Sequence, residues 1–444
     1  MGSVIVTEQG LPGEIAPQTV SAFLSRTLAS IPRADQRRWG DVYVRGLLSV
    51  DGKKTMRALA GKGRGNAEQS LYQFISKSPW DSMAVRGELA RLFQEQARPR
   101  AWVVRPLVIT KAGRHSVGVE RQFVSQYGRV VNCQRAMGIW LASDAMSCPV
   151  DWRLALPGCW TDEPGRREQA AIPDGVSTCP PEQCAIGSLA DMSAAWGLDS
   201  RPVVMDLRES DPYPVCAALT RRHIPFVVRV RAEAAYTSWA PSPSPSPAPY
   251  RGTRPGLVGA LSAHRMPVEW LDHTTGTLRA TYVGATRVVL RDRHVRTDSG
   301  ELLLLGAWTT AGRPEPDEFW LTRMPRSQLG AAYRTAMLSR RVGRDLAEVA
   351  EPLGLRDFEG RSFRGWHHHM TMVSLAHALR VLTTPRPTRD VTAPHPARDL
   401  PAQQSARDLT PPRRARGLTA QQSARDLTAQ PPRTTTTTTQ ASAA

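Results

Sequence analysis

The residues whose types and placement could do chemistry sit among many arginines. Asp206 closes the apolar run Val203-Val204-Met205, so a carboxylate ends a buried strand, a place from which an acid can hold a metal or accept hydrogen bonds. Glu209 and Asp211 follow it closely, Glu120 lies in an earlier strand-like run, and Glu348 and Glu351 fall on a later helical segment. His367-His368-His369 invites a metal reading, but consecutive helical residues point about 100° apart, so three rings cannot face one ion. The run reads instead as a helix N-terminus with one ring packed and the others solvated or near phosphate. Six cysteines in so long a chain read as buried thiols, and the C-x4-C spacing of Cys179 and Cys184 has no second pair to complete a zinc site. Gly61-Lys62-Gly63-Arg64-Gly65 is a basic loop without the G-x-x-x-x-G-K-[ST] spacing of a phosphate-binding loop.

The charge balance points to a polyanionic partner. Fifty-eight basic against forty acidic residues give +18. Only five of the basic residues are lysines, and with heavy Ala, Pro and Gly usage this suggests a GC-rich genome, so part of the arginine excess reflects codon bias. No apolar run is long enough to span a membrane and no signal segment is apparent, which predicts a cytoplasmic protein.

The elements that must position these residues follow from periodicity. Residues 1–16 read as a flexible N-terminus and 17–100 as a helical region, with apolar spacings of three and four at 21–28, 37–48 and 84–96. From Ala101 the texture changes to strands at 102–109, 116–124 and 130–141, then a polar, Pro-rich excursion from Cys148 to Pro181. A helix (182–196), a buried strand (202–206), a helix (214–222) and a strand (225–230) follow. Three strands and then alternating helices and parallel strands is the order of an RNase H-like sheet, whose first part is assigned to 101–235. Residues 236–250 form a Pro/Ser linker and 251–325 a β-rich insertion, with helices closing the core over 326–382. Residues 383–444 repeat Ala-Arg-Asp-Leu-like units every nine residues, too short for a solenoid repeat and poor in apolar residues, and read as a disordered tail. The fold class expected is α/β: an RNase H-like core with a β-rich insertion, a helical N-terminal region and a disordered C-terminal tail.

Ordered blocks give this layout a family resemblance. They are Tyr43–Ser49, Gln69–Leu71, Ser78–Asp81, Gly113–Phe123, Asn132–Gln134, Asp151–Leu154 and Trp160–Pro164, then Leu353–Leu355, Phe358–Ser362 and Arg364–His369. In this order they resemble the bacterial insertion-sequence transposases of the DDE superfamily endonuclease type. The resemblance implies phosphodiester cleavage and strand transfer, with three carboxylates holding two Mg²⁺ about 4 Å apart. Carried over by ungapped counting, the first carboxylate position falls on Arg105, the second on Asp206 and the third on Gly343. Asp206 is then the only retained acid, and the only metal ligand if any metal binds. A guanidinium at the first position would repel a cation.

The leading expectation is therefore a transposase-derived, DNA-binding protein unable to cleave, co-opted as a regulator. The alternatives are an active transposase using Mg²⁺ and a decayed remnant without function. Lys111, Arg114, His115 and Arg121 flank the site's strands, and Arg340, Arg341 and Arg344 line the later helix; all are candidate DNA contacts, with Arg361, Arg364, Trp366 and His367 beside the histidine run. The partners expected are double-stranded DNA and no membrane, with a homodimer left open and no cofactor unless cleavage survives. The location expected is cytoplasmic and nucleoid-associated.

Overall fold

The computed structural model describes residues 15–61, 66–238, 254–291, 298–310 and 312–384. The basic loop at 62–65, linker residues 239–250 and the repeat tail from 385 onward lie outside them. Five helices come first: α1 (Pro17–Thr27), α2 (Ala34–Ser49), α3 (Met56–Ala60), α4 (Ala67–Ser76) and α5 (Ser82–Ala97). Asp81 starts α5 by accepting the Met83 amide at 2.7 Å, an ordinary N-cap, and the helix then buries Val85, Leu89, Ala90, Leu92 and Phe93.

The strands β1 (Ala101–Thr110), β2 (Glu120–Val124), β3 (Arg129–Ala142) and β4 (Ser147–Ala155) follow. The chain continues through α6 (Gly158–Thr161), α7 (Pro164–Gln169), α8 (Pro181–Ala195), β5 (Val203–Asp206), α9 (Pro212–Arg221), β6 (Phe226–Val230), α10 (Ala232–Ser238) and α11 (Arg254–Ser262). It ends with β7 (Met266–Asp272), β8 (Thr277–Arg291), β9 (Asp298–Trp308), β10 (Glu318–Thr322), α12 (Leu329–Asp345), a π-turn (Leu346–Ala350) and α13 (Phe363–Thr383).

One mixed sheet runs β2-β3-β1-β5-β6-β10-β9-β8-β7, with β4 also paired to β3. β1 is antiparallel to β3 and parallel to β5, and β5 is parallel to β6. Three antiparallel strands joined to two parallel ones is the RNase H-like order expected. β5 and β6 bury Val203, Val204, Met205, Phe226, Val227 and Val228, the unbroken apolar runs that strands covered on both faces require. The insertion does not form a sheet of its own: β10 pairs antiparallel with β6, and β9, β8 and β7 extend the same sheet.

Several expected boundaries need correction. The segment after Cys148 opens with β4 and not with a polar excursion, because Ser147 to Trp152 is buried throughout. Only the second half of the 116–124 run is a strand; Gly118 has φ +73° and turns the chain before it. Within the insertion, β8 runs without a break through Gly284. That glycine is required: a Cβ there would lie 1.9 Å from the Leu261 carbonyl oxygen of α11. Gly284→Ala is expected to cost about 2 kcal/mol or more through overpacking, read as a lowered denaturant midpoint; an unchanged midpoint would mean α11 is free to shift. Cys179 and Cys184, expected as free thiols, form a disulfide, while Cys133, Cys148 and Cys216 are buried thiols.

α13 is buried on nearly every side, packed against β4, α2, α4 and α5. Ser362 caps it by accepting the Gly365 amide at 3.1 Å. A buried ion pair fixes it to the rest: Arg86 of α5 meets Asp151 of β4, donates to the Thr371 hydroxyl at 2.8 Å and to the His367 carbonyl at 2.9 Å. Asp151 also accepts from Arg153 at 2.6 Å.

Candidate functional site

The parallel strands β1, β5 and β6 bring three charged residues into one row. Val104 faces Met205 across β1 and β5, so the next step sets Arg105 beside Asp206, and Asp206 faces Arg229 on β6. Neighbours in register point to the same side of a sheet. α12 crosses that side. At Gly343 a Cβ would stand 3.4 Å from Nη1 of Arg105, so the guanidinium lies over the helix where the side chain is missing. The three positions Arg105, Asp206 and Gly343 therefore meet in space.

Asp206 is not free to take a cation. Arg208 grips both its oxygens, at 2.9 and 3.1 Å from Nε and 2.7 Å from Nη2, and the Arg208 amide donates at 3.2 Å. Burial works against the charged carboxylate, but these bonds and the Arg208 charge, with Arg229 behind them, hold Asp206 below its ordinary value. Arg105 is in the opposite situation. Burial pushes it down, Asp206 alone pulls it back, and among the described residues it has no hydrogen bond or ion pair. Arg229 and Arg340 share one oxygen of Glu318, at 2.8 and 2.9 Å, while its other oxygen is buried without a partner.

Of the other acids, Glu120 is exposed on β2, away from this row, and the remaining four are occupied. Glu209 pairs with Arg231, Asp211 caps α9, Glu348 pairs with Arg344 and Glu351 with Arg356. Asp345, which the sequence did not single out, is buried and accepts from Ser147 and Arg341. Among the described residues no three His, Cys, Asp or Glu side chains are placed to hold a metal ion.

The basic candidates divide into two groups. Lys111 donates to the Phe358 carbonyl at 2.6 Å, Arg340 is held by Glu318 and lies over the Trp270 ring, Arg341 pairs with Asp345, and Arg344 also reaches the His273 carbonyl. These four tie the structure together. Arg114, His115, Arg121, Arg361 and Arg364 are exposed. Trp366 is a correction: it is fully buried, because it lies on the side of α13 that faces the core, and cannot touch DNA. His367 turns inward too, with Nδ1 3.3 Å from Arg86 and Nε2 buried. Two rings of the histidine run, His368 and His369, are fully packed, and His367 is partly buried. His368 lies between the carbonyls of Ile75 and Trp80, and His369 between the Tyr43 hydroxyl and the Gly354 carbonyl; burial pushes both down to about 4. The tryptophans in the family-like blocks are structural as well: Trp80, Trp152, Trp160 and Trp366 are all buried.

Fold and site together define a mixed α/β protein with an RNase H-like nuclease core whose central row carries one acid among arginines. The DDE superfamily endonuclease family matches residues 26–296, more than half of the chain, and the chain belongs to that family. Membership makes it transposase-like and implies interaction with DNA. The match takes in Arg105 and Asp206 and ends before α12. A search of the curated proteins finds no match. Among the described residues no helix is long and apolar enough to cross a membrane.

Proposed function

We propose that this chain is a transposase-derived protein that binds duplex DNA and does not cut it. The observation carrying the reading is the Arg105 guanidinium, unpaired, beside Asp206 and over Gly343. The family's chemistry implies Mg²⁺, a hard cation that takes oxygen ligands. The donor set here does not fit it: both carboxylates near the row are already held by arginines, Asp206 by Arg208 and Glu318 by Arg229 and Arg340. No step through a metal is derived. A half-buried guanidinium without a hydrogen-bonded anion is instead suited to a phosphodiester oxygen, to which Arg donates in fixed, forked geometry. The site then works as a phosphate grip where a cleaving relative would hold metal. Arg114, His115, Arg121, Arg361 and Arg364 supply further solvent-facing contacts.

Binding should be indifferent to metal. In gel shifts on duplex DNA taken from the gene's flanks, affinity should be the same with EDTA or Mn²⁺, and should fall steeply with salt as counterions are displaced. Arg105→Ala is expected to weaken binding about tenfold, the loss of one charge-assisted contact. Binding that requires Mn²⁺, or that Arg105→Ala leaves untouched, would count against the phosphate grip. No salt-sensitive binding to any duplex would favour a remnant without function.

A further inference from the structure

The hairpin of β2 and β3 presents a surface that the folded chain does not use. Its inner face is accounted for: Val124 and Cys133 pack with Val108 and Val131 in a small cluster beside the main core. Its outer face is not. Phe123 and Val130 stand opposite each other across the two strands and are 60% and 50% exposed, and Tyr127 in the connecting turn is 41% exposed. β2 pairs with β3 alone, so its other edge has no partner strand among the described residues.

Charge surrounds this apolar tip. Arg121 sits two residues before Phe123 on the same face, and Arg129 begins β3; both are exposed. Asn132, opposite Arg121, donates to the carbonyls of Lys111 and Gly113, at 2.8 Å each, which fastens the bend bearing Arg114 and His115 beside the same face. From Lys111 to Arg135 Glu120 is the only acidic residue. Among the described residues Arg114, Arg121 and Arg129 form no ion pair.

We propose that this hairpin enters duplex DNA, with Phe123 and Val130 wedged against the bases and Arg114, Arg121 and Arg129 on the flanking phosphates. The inference rests on the DNA-binding reading and adds the element that distorts the duplex. A two-stranded ribbon fits a DNA groove, apolar wedges unstack base steps, and flanking arginines offset the cost through phosphate contacts. Self-association fits less well. Two β2 edges paired about a two-fold axis would set Arg121 and its copy on one small surface, like charge against like.

The test uses the full chain on duplex DNA from the gene's flanks, with permanganate reactivity of thymines as the measure of unstacking. Wild type should raise reactivity over a short stretch. Phe123→Ala should abolish that signal and weaken binding about tenfold, since one stacked base is lost. Arg121→Ala should keep the signal, weaken binding and lower the salt slope by about one. Both residues are solvent-facing, so folding is expected to be intact. If wild type binds and Phe123→Ala changes neither affinity nor reactivity, the wedge is wrong and DNA binding stands. If wild type binds no duplex, both readings fall. If Phe123→Ala turns a dimer into a monomer by light scattering with DNA binding unchanged, the face is a contact between copies and the wedge is overturned.

Discussion

Replacing Arg105 by Asp and Gly343 by Glu together should create Mn²⁺ binding on the order of 100-fold tighter than wild type, because affinity at oxygen-ligand sites follows the number of carboxylates. The two positions flank Asp206 from a neighbouring strand and from the helix above it. The local charge moves from one guanidinium and one carboxylate to three carboxylates, with Arg208 the nearest competitor for Asp206. Neither single change should suffice. With Arg105 in place, a glutamate introduced by Gly343→Glu would begin 3.4 Å from Nη1 and pair with the guanidinium. With Arg105→Asp alone, the helix still contributes no ligand. Calorimetric titration with Mn²⁺ measures all three variants. A folded double variant that binds no better than wild type would mean these side chains do not converge on a common ion.

The largest effect on stability is expected at the other end of the core. Arg86→Met should lower the unfolding free energy by about 3–5 kcal/mol, because removing one member of a buried pair strands its partner. Arg86 is essentially inaccessible, and it reaches Asp151, Thr371 and the His367 carbonyl, so one side chain joins α5, β4 and α13. Adding Asp151→Leu should recover a large part of the loss, since no buried charge then remains and Arg153 can turn to solvent. Denaturant unfolding of the two single variants and the double variant gives the coupling directly. Additive losses would show that Arg86 acts through packing, not through its charge.

What the sequence discloses depends on whether the signal is local. β5 and β6 are legible because both faces are buried and the apolar runs are unbroken, and α5 because Asp81 marks its start. β4 was hidden for a related reason. Burial on both faces leaves no alternation to detect, and Pro149 and Asp151 make the segment look polar, although Asp151 is there to meet Arg86. The joining of β10 to β6 could not be read at all, because strand pairing at that separation leaves no periodic trace. In the site, Asp206 is announced by the apolar strand it ends, and Arg208 stands only two residues on, yet its grip on the carboxylate depends on a turn that sequence does not specify. Trp366 and His367 resemble surface groups because they follow Arg361 and Arg364; Arg364 is exposed at the start of α13, but the helix turns Trp366 into the core two residues later, and sequence proximity to a charge does not reveal that turn.

With Asp206 held by Arg208 and Arg105 at its side, DNA binding without cleavage is expected. The direct test is incubation of supercoiled DNA carrying the gene's flanking ends with Mg²⁺ or Mn²⁺, beside an Asp206→Ala control. No nicking by either protein is expected, with binding retained on the same DNA. Metal-dependent nicking by wild type that disappears in Asp206→Ala would contradict it.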